Sequence, residues 1–216
     1  MTGSQSLRIN GDRLMQRIED LATIGPHEGT GSCRLALTDE DRDGRDLVVT
    51  WMKDLGLEIT IDGIGNVIAT RPGLLDGPPT LTGSHIDTVA TGGRYDGNLG
   101  VLAGIEMIET LVENDVSTRY PVGVAFFTDE EGARFPPDML GSLVYVGGLA
   151  LEQALEVEGI DGAILGEELD RIGYRGTAPC PAIPPRAFIE LHIEQGPLLE
   201  DEGITIGTVT GVQGIS

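Results

Sequence analysis

Leu81 to Leu111 reads LTGSHIDTVATGGRYDGNLGVLAGIEMIETL, and this stretch decides the fold. It opens as a short apolar strand that stops at Gly83-Ser84-His85-Ile86-Asp87. A glycine-rich loop follows, and Tyr95-Asp96-Gly97-Asn98 opens a long helix. Leu99, Leu102, Ile105, Ile108 and Leu111 recur at helical spacing, which predicts one buried face. His85 then lies at a strand's carboxyl end and Asp96 at a helix entrance. In open α/β sheets that crevice is where ligands bind. An imidazole and a carboxylate brought together there suit a divalent cation, zinc above all.

Upstream, Asn10 to Ala22 reads as a helix with Leu14, Ile18 and Leu21 on one side. Thr38-Asp39-Glu40-Asp41 is a helix start, a capping Thr followed by acids that complement the helix dipole, and that helix runs to about Leu55. The acid cluster from Asp39 to Asp46 reads as that start plus a solvated face. Two strands follow, Leu57 to Ile61 and Asn66 to Thr70. Downstream, Val122 to Thr128 suits a buried parallel strand and ends in Asp129-Glu130-Glu131-Gly132. Short helices and loops occupy 133 to 186, including Leu149 to Leu155 and Gly166 to Ile172. Ala187 to Ile193 reads as a strand carrying His192, and Ile204 to Thr210 as a last one.

Strands alternating with helices predict a layered α/β fold. Three apolar strands end in His85, in Glu130 and Glu131, and in His192; as neighbours they would converge on one crevice. A lone His is ordinarily a partly buried polar group, and an Asp before Gly is ordinarily a cap. Asp87 shares His85's side of an extended strand and offers an orienting carboxylate. Adjacent Glu130 and Glu131 permit one to bind metal while the other serves as general base. Glu190 and Glu194 flank His192 as possible supporting groups, whereas His27 sits in a glycine-rich loop without such company and reads as structural or solvated. No G-x-S-x-G, P-loop or H-E-x-x-H motif occurs.

The bulk numbers narrow the partners. With 14 Lys and Arg against 35 Asp and Glu, the formal charge is −21, and Lys53 is the only lysine. That balance argues against nucleic acid and anionic membrane, whose phosphates need clustered cations. Cys33 and Cys180 stand far apart and read as free thiols in a reducing compartment. Neither a signal peptide nor an apolar run of the roughly 20 residues a membrane span needs is present, so a cytoplasmic location is expected.

The ordered set GSHIDTV, GGRYDGNLGVLAG, FTDEEGARF, LGS, ELHIEQGPLLE and IGTVTGVQG resembles the zinc-dependent amidase/hydantoinase/carbamoylase family. That family holds N-carbamoyl-L-amino-acid hydrolases and allantoate amidohydrolases, related to dinuclear metallo-aminopeptidases and aminoacylases. The resemblance implies an aminopeptidase-like three-layer sandwich around a mixed, largely parallel sheet, incomplete at the C-terminus. Residues 1–211 would be the N-terminal portion of the catalytic domain, and 212–216 the start of an otherwise absent lid and dimerisation domain. It implies two divalent ions, Zn, Mn, Co or Ni: His85 and His192 on the first, Asp96 bridging, Glu131 on the second. Glu130 would be the general base, Asp87 the carboxylate behind His85, and Gln195 a substrate contact.

The implied substrate is a small N-carbamoyl amino acid or other ureido compound, and the implied full-length assembly a homodimer. Members of the family are longer, and the segment beyond would supply the second metal's last His, an arginine for the substrate carboxylate, and the dimer surface. This chain alone is therefore expected to be inactive, to hold at most one metal well, and to expose apolar surface. Within the family, allantoate amidohydrolase is the alternative; outside it, a non-catalytic metal-binding or interaction fragment.

Overall fold

The structure, a computed structural model, describes residues 7–27, 29 and 31–211. Residues 212–216, read above as the start of a lid domain, lie outside the described residues. The elements are α1 (Gly11–Ala22), α2 (Asp39–Asp54), β1 (Glu58–Ile61), β2 (Val67–Arg71), β3 (Thr80–His85), α3 (Asn98–Glu113) and β4 (Val122–Phe127), followed by α4 (Leu140–Tyr145), α5 (Leu151–Leu155), α6 (Leu165–Ile172), β5 (Ala187–Ile189) and α7 (Leu198–Glu202). Local chemistry sets their starts. The Asn10 side chain accepts the Arg13 N–H at the head of α1, and Thr38 accepts the Asp41 N–H at the head of α2.

The five strands form one mixed sheet in the order β1-β2-β4-β3-β5. β1 pairs antiparallel with β2 and β2 with β4, whereas β3 runs parallel to both β4 and β5. The parallel trio gathers its three carboxyl ends along one rim, where β3 ends in His85 and Glu130 and His192 follow β4 and β5 by three residues. Across β3 and β4, Thr82 pairs with Val124 and Ser84 with Phe126, and these side chains face α3. On the other face, Tyr145 of α4 meets Phe127 edge-on at 5.5 Å. Helices therefore cover both faces, giving three layers. Met52, Leu102, Ile105, Val124 and Phe126 lie wholly out of water in the core.

Helix α3 is buried more broadly than its leucine and isoleucine stripe predicts. Its sheet side carries Gly104, where a Cβ would fall 2.8 Å from Thr82 Cγ2, so the absence of a side chain lets the helix press against β3. Its opposite side packs on α1, where Glu106 is wholly buried and accepts from Arg13 Nε at 2.7 Å. The acid cluster in α2 also departs from a purely solvated face: Asp41 turns inward and pairs with Arg45 Nε at 2.8 Å, both wholly buried. Asp46 accepts the Tyr174 hydroxyl at 2.7 Å.

Two strand expectations fail. β5 stops at Ile189 rather than Ile193, and Ile204 to Thr210 forms no strand. The alternation of those residues fits a pleated surface, but a strand exists through its ladder. Among the described residues none pairs with 204–210, and Ile206 and Val209 lie in solvent.

Candidate metal centre

His85 is the last residue of β3 and is 1% exposed. Its Nδ1 lies 2.9 Å from the Asp87 carbonyl oxygen, a contact that suits an Nδ1–H donor and leaves the Nε2 lone pair directed outward. The ring rests on the backbone of Gly97, whose φ is +62°; a Cβ there would sit 2.5 Å from the imidazole. Gly97 thus supplies both the left-handed turn that starts α3 and the space His85 occupies. Asp96, one residue earlier, is brought opposite His85 by the same turn. His192, three residues past β5, completes the group. One donor atom each from His85, Asp96 and His192 lies within 4.8 Å of the others.

That donor set fits a divalent cation. His192 Nε2 stands 3.1 Å from Asp96 Oδ1, yet this buried oxygen makes no hydrogen bond, while Gln195 Nε2 donates to the other carboxylate oxygen. A buried acceptor left unsatisfied costs about 1–3 kcal/mol, which a cation between the two imidazoles would remove. Nitrogen and carboxylate ligands accept zinc, manganese, cobalt or nickel, so the set does not select among them.

The other expected residues take distinct places. Glu130 Oε2 is 3.3 Å from His85 Nε2, beside the cluster. Glu131 lies outside the set of mutually close donors. The Asp87 carboxylate accepts the N–H groups of Glu130 and Glu131, both at 3.3 Å, and its Oδ1 stands 3.8 Å from His85 Nδ1. The backbone carbonyl of Asp87 thus fixes the imidazole, and its side chain fixes the glutamate loop. Glu190 accepts the Ser84 hydroxyl and stays near the site. Glu194 instead accepts the Leu199 N–H at the start of α7. His27 is exposed. A cavity of about 280 Å³ opens beside Glu130, walled by Phe127, Met139, Tyr145 and Phe188.

Charge is unbalanced here. Burial raises the pKa of Asp87, and it raises those of Glu130 and Glu131, with nearby carboxylates adding to the shift and His85 opposing it. Burial alone would lower His85, but Asp87 and Glu130 outweigh it and leave the imidazole raised. Asp129, to which the sequence reading gave no role, is wholly buried at φ +54° and pushed up to about 8 by burial and by Asp87's charge. So many carboxylates around two imidazoles are short of positive charge, the field a cation would relieve.

Residues 81–212 match the family model described as peptidase family M20/M25/M40. The chain belongs to that family. The M20 stretch begins at β3 and so includes every residue of the centre. The chain is 43% identical over 212 residues to the N-carbamoyl-L-amino-acid amidohydrolase of Rhizobium meliloti, covering 98% of this chain and 51% of that one. It is 34% identical over 219 residues to the ureidoglycolate hydrolase of Arabidopsis thaliana, covering 97% of this chain and 46% of that one. A solved hydantoinase/carbamoylase family amidase from Burkholderia vietnamiensis shares the fold with a TM-score of 0.91 at 46% identity, covering 93% of this chain and 49% of that one. The chain thus spans about half the length of the relatives it matches. No helix among the described residues is long and apolar enough to cross a membrane.

Proposed function

We propose that this chain carries the N-terminal half of the active site of a metal-dependent amidohydrolase that cleaves the N-carbamoyl group of L-amino acids. The observation that carries the reading is the convergence of His85, Asp96 and His192 within 4.8 Å, with Glu130 Oε2 3.3 Å from His85 Nε2. His85 and His192 would bind a divalent ion through Nε2 and Asp96 through its carboxylate. When bound, such an ion polarises a ureido carbonyl and lowers the pKa of water. Glu130 takes the proton from the attacking water and delivers it to the amino acid's nitrogen as the bond from that nitrogen to the carbamoyl carbon breaks. The free amino acid leaves, and the carbamate left behind falls to carbon dioxide and ammonia. Burial raises Glu130 above the ordinary carboxylate range, which suits a group that must both accept and return a proton. Asp87 would orient this step by holding the Glu130 N–H, and Gln195, which donates to Asp96, would contact substrate.

The similarity to a ureidoglycolate hydrolase favours a second reading, a ureido substrate that is not an N-carbamoyl amino acid. Both are tested by co-expressing the chain with the part of the Rhizobium meliloti relative that lies beyond the match. Free amino acid released from N-carbamoyl-L-amino acids, and abolished by Glu130→Gln with metal retained, is the expected result. Ammonia from ureidoglycolate alone would replace the first reading with the second. For the chain by itself we expect one divalent ion and no turnover, since Glu131 stands apart from the donor cluster.

A further inference from the structure

We propose that Arg34 is a positioning residue for this centre, its guanidinium setting the distance between the strand end that carries His85 and the helix entrance that carries Asp96. Arg34 is wholly buried and belongs to the irregular segment between α1 and α2. Its Nε donates at 2.8 Å to the carbonyl of Ile86, the residue between His85 and Asp87. Its Nη2 donates to Asn98 Oδ1 at 3.0 Å, the first residue of α3 and two past Asp96. Its Nη1 reaches the carbonyls of Leu21 in the last turn of α1 and of Ile24 just beyond it, at 3.3 and 3.0 Å. The backbone reinforces the clamp: Arg34 N donates to Thr88 Oγ1 and Thr88 N donates to the Arg34 carbonyl.

One planar fork therefore joins three segments that share no strand ladder here. A cation-binding geometry is sensitive to such ties, because ligands misplaced by a fraction of an ångström lose affinity. Gly44 of α2 makes the room, since a Cβ there would fall 2.8 Å from Arg34 Cδ. Lysine cannot replace the fork, because an ammonium presents a single point of charge rather than donors held at fixed angles. The assignment rests on reading His85, Asp96 and His192 as cation ligands.

The test titrates Co2+ alone into the chain and follows affinity and the visible spectrum, with circular dichroism reporting the fold. Arg34→Met and Arg34→Lys are expected to weaken Co2+ binding about tenfold and to change the spectrum, as loss of a supporting group does. Asn98→Ala, which keeps the three carbonyl contacts, is expected to lose about threefold, and the double variant R34M/N98A no more than R34M, because both act through one bond. Glu106→Gln, at the α1–α3 contact away from the centre, should lower thermal stability and leave affinity and spectrum unchanged. A folded R34M that binds Co2+ as the wild type does would overturn the assignment, as would an equal loss in Glu106→Gln. Should R34M fail to fold, Asn98→Ala decides: unchanged binding overturns the proposal. A wild-type chain that binds no Co2+ overturns the cation reading itself, and this arm is read first.

Discussion

His85 ends one parallel strand and His192 follows the end of another, yet the protein holds them very differently. His85 is buried, tied by Nδ1 to the Asp87 carbonyl, and seated on Gly97. His192 follows a strand of three residues, its side chain is 35% exposed, and its Nδ1 contacts the neighbouring Ile193 carbonyl, at 2.8 Å. The difference separates a fixed shore from an open one. On the fixed side, position is set by packing and hydrogen bonds that exist without a ligand. On the open side, Gln195 donates to Asp96, and His192 stands beside the same carboxylate without a hydrogen bond to it. Local opening free energies differ widely within a fold, and few buried contacts mark the low end.

The strongest way to break this comparison is to remove the ligands one at a time. His85→Ala and Asp96→Ala should each lower divalent-cation affinity on the order of 100-fold or more, whereas His192→Ala should cost only about tenfold, because its side chain is not pre-positioned. Calorimetric titration measures all three. If His192→Ala proves the most damaging, the division into fixed and open shores is wrong.

A backbone substitution sharpens the same contrast. Gly97→Ala places a methyl 2.5 Å from the His85 ring at a residue with φ +62°. It should cost about 1–2 kcal/mol of stability and lower cation affinity about tenfold. Gly196→Ala, on the open side, meets nothing closer than 3.8 Å and should change neither. Thermal melts with and without metal check the pair.

One source of acid dependence should lie on the packed side. Burial would raise Glu106, but hydrogen bonds from Arg13 and the Asn10 N–H, together with the Arg13 and Arg17 charges, outweigh it and hold the carboxyl below its usual range. A depressed carboxylate gives stability that is present above its unfolded value, near 4.5, and lost as pH falls through the folded value. Glu106→Gln should therefore cost about 2 kcal/mol near neutrality and progressively less below pH 4.5. Urea melts across that range test it, and a cost independent of pH would show that shape rather than charge is what Glu106 contributes.

The same contrast explains what could be read in the sequence. The strand ends at His85 and Glu130 and the helix entrance at Asp96 were legible because apolar runs, glycine turns and helical spacing are local signals. Arg34 was not, since a buried arginine makes sense only once carbonyls from residues 21, 24 and 86 surround it. Asp41 failed for a related reason: within a run of acids, nothing local marks the one that turns inward to Arg45. Ile204 to Thr210 has the alternation of a strand, but alternation describes a surface and pairing requires a neighbour. The Glu130–Glu131 pair was placed correctly just past a strand end, while the backbone N–H groups of that pair are held by Asp87, more than 40 residues away.

Glu194 offers the finest discrimination on the open side. By spacing alone it flanks His192 and could support the centre, yet both its carboxylate oxygens face the Leu199 N–H, at 3.1 and 3.0 Å. Pro197, the residue before α7, provides no side-chain cap, so Glu194 supplies the acceptor that a capping residue would. Glu194→Ala should then cost about 0.5–1 kcal/mol, local to α7, and speed hydrogen exchange of the Leu199 amide. Cation affinity should not change. If affinity instead falls tenfold while Leu199 exchange stays as it was, Glu194 belongs to the centre.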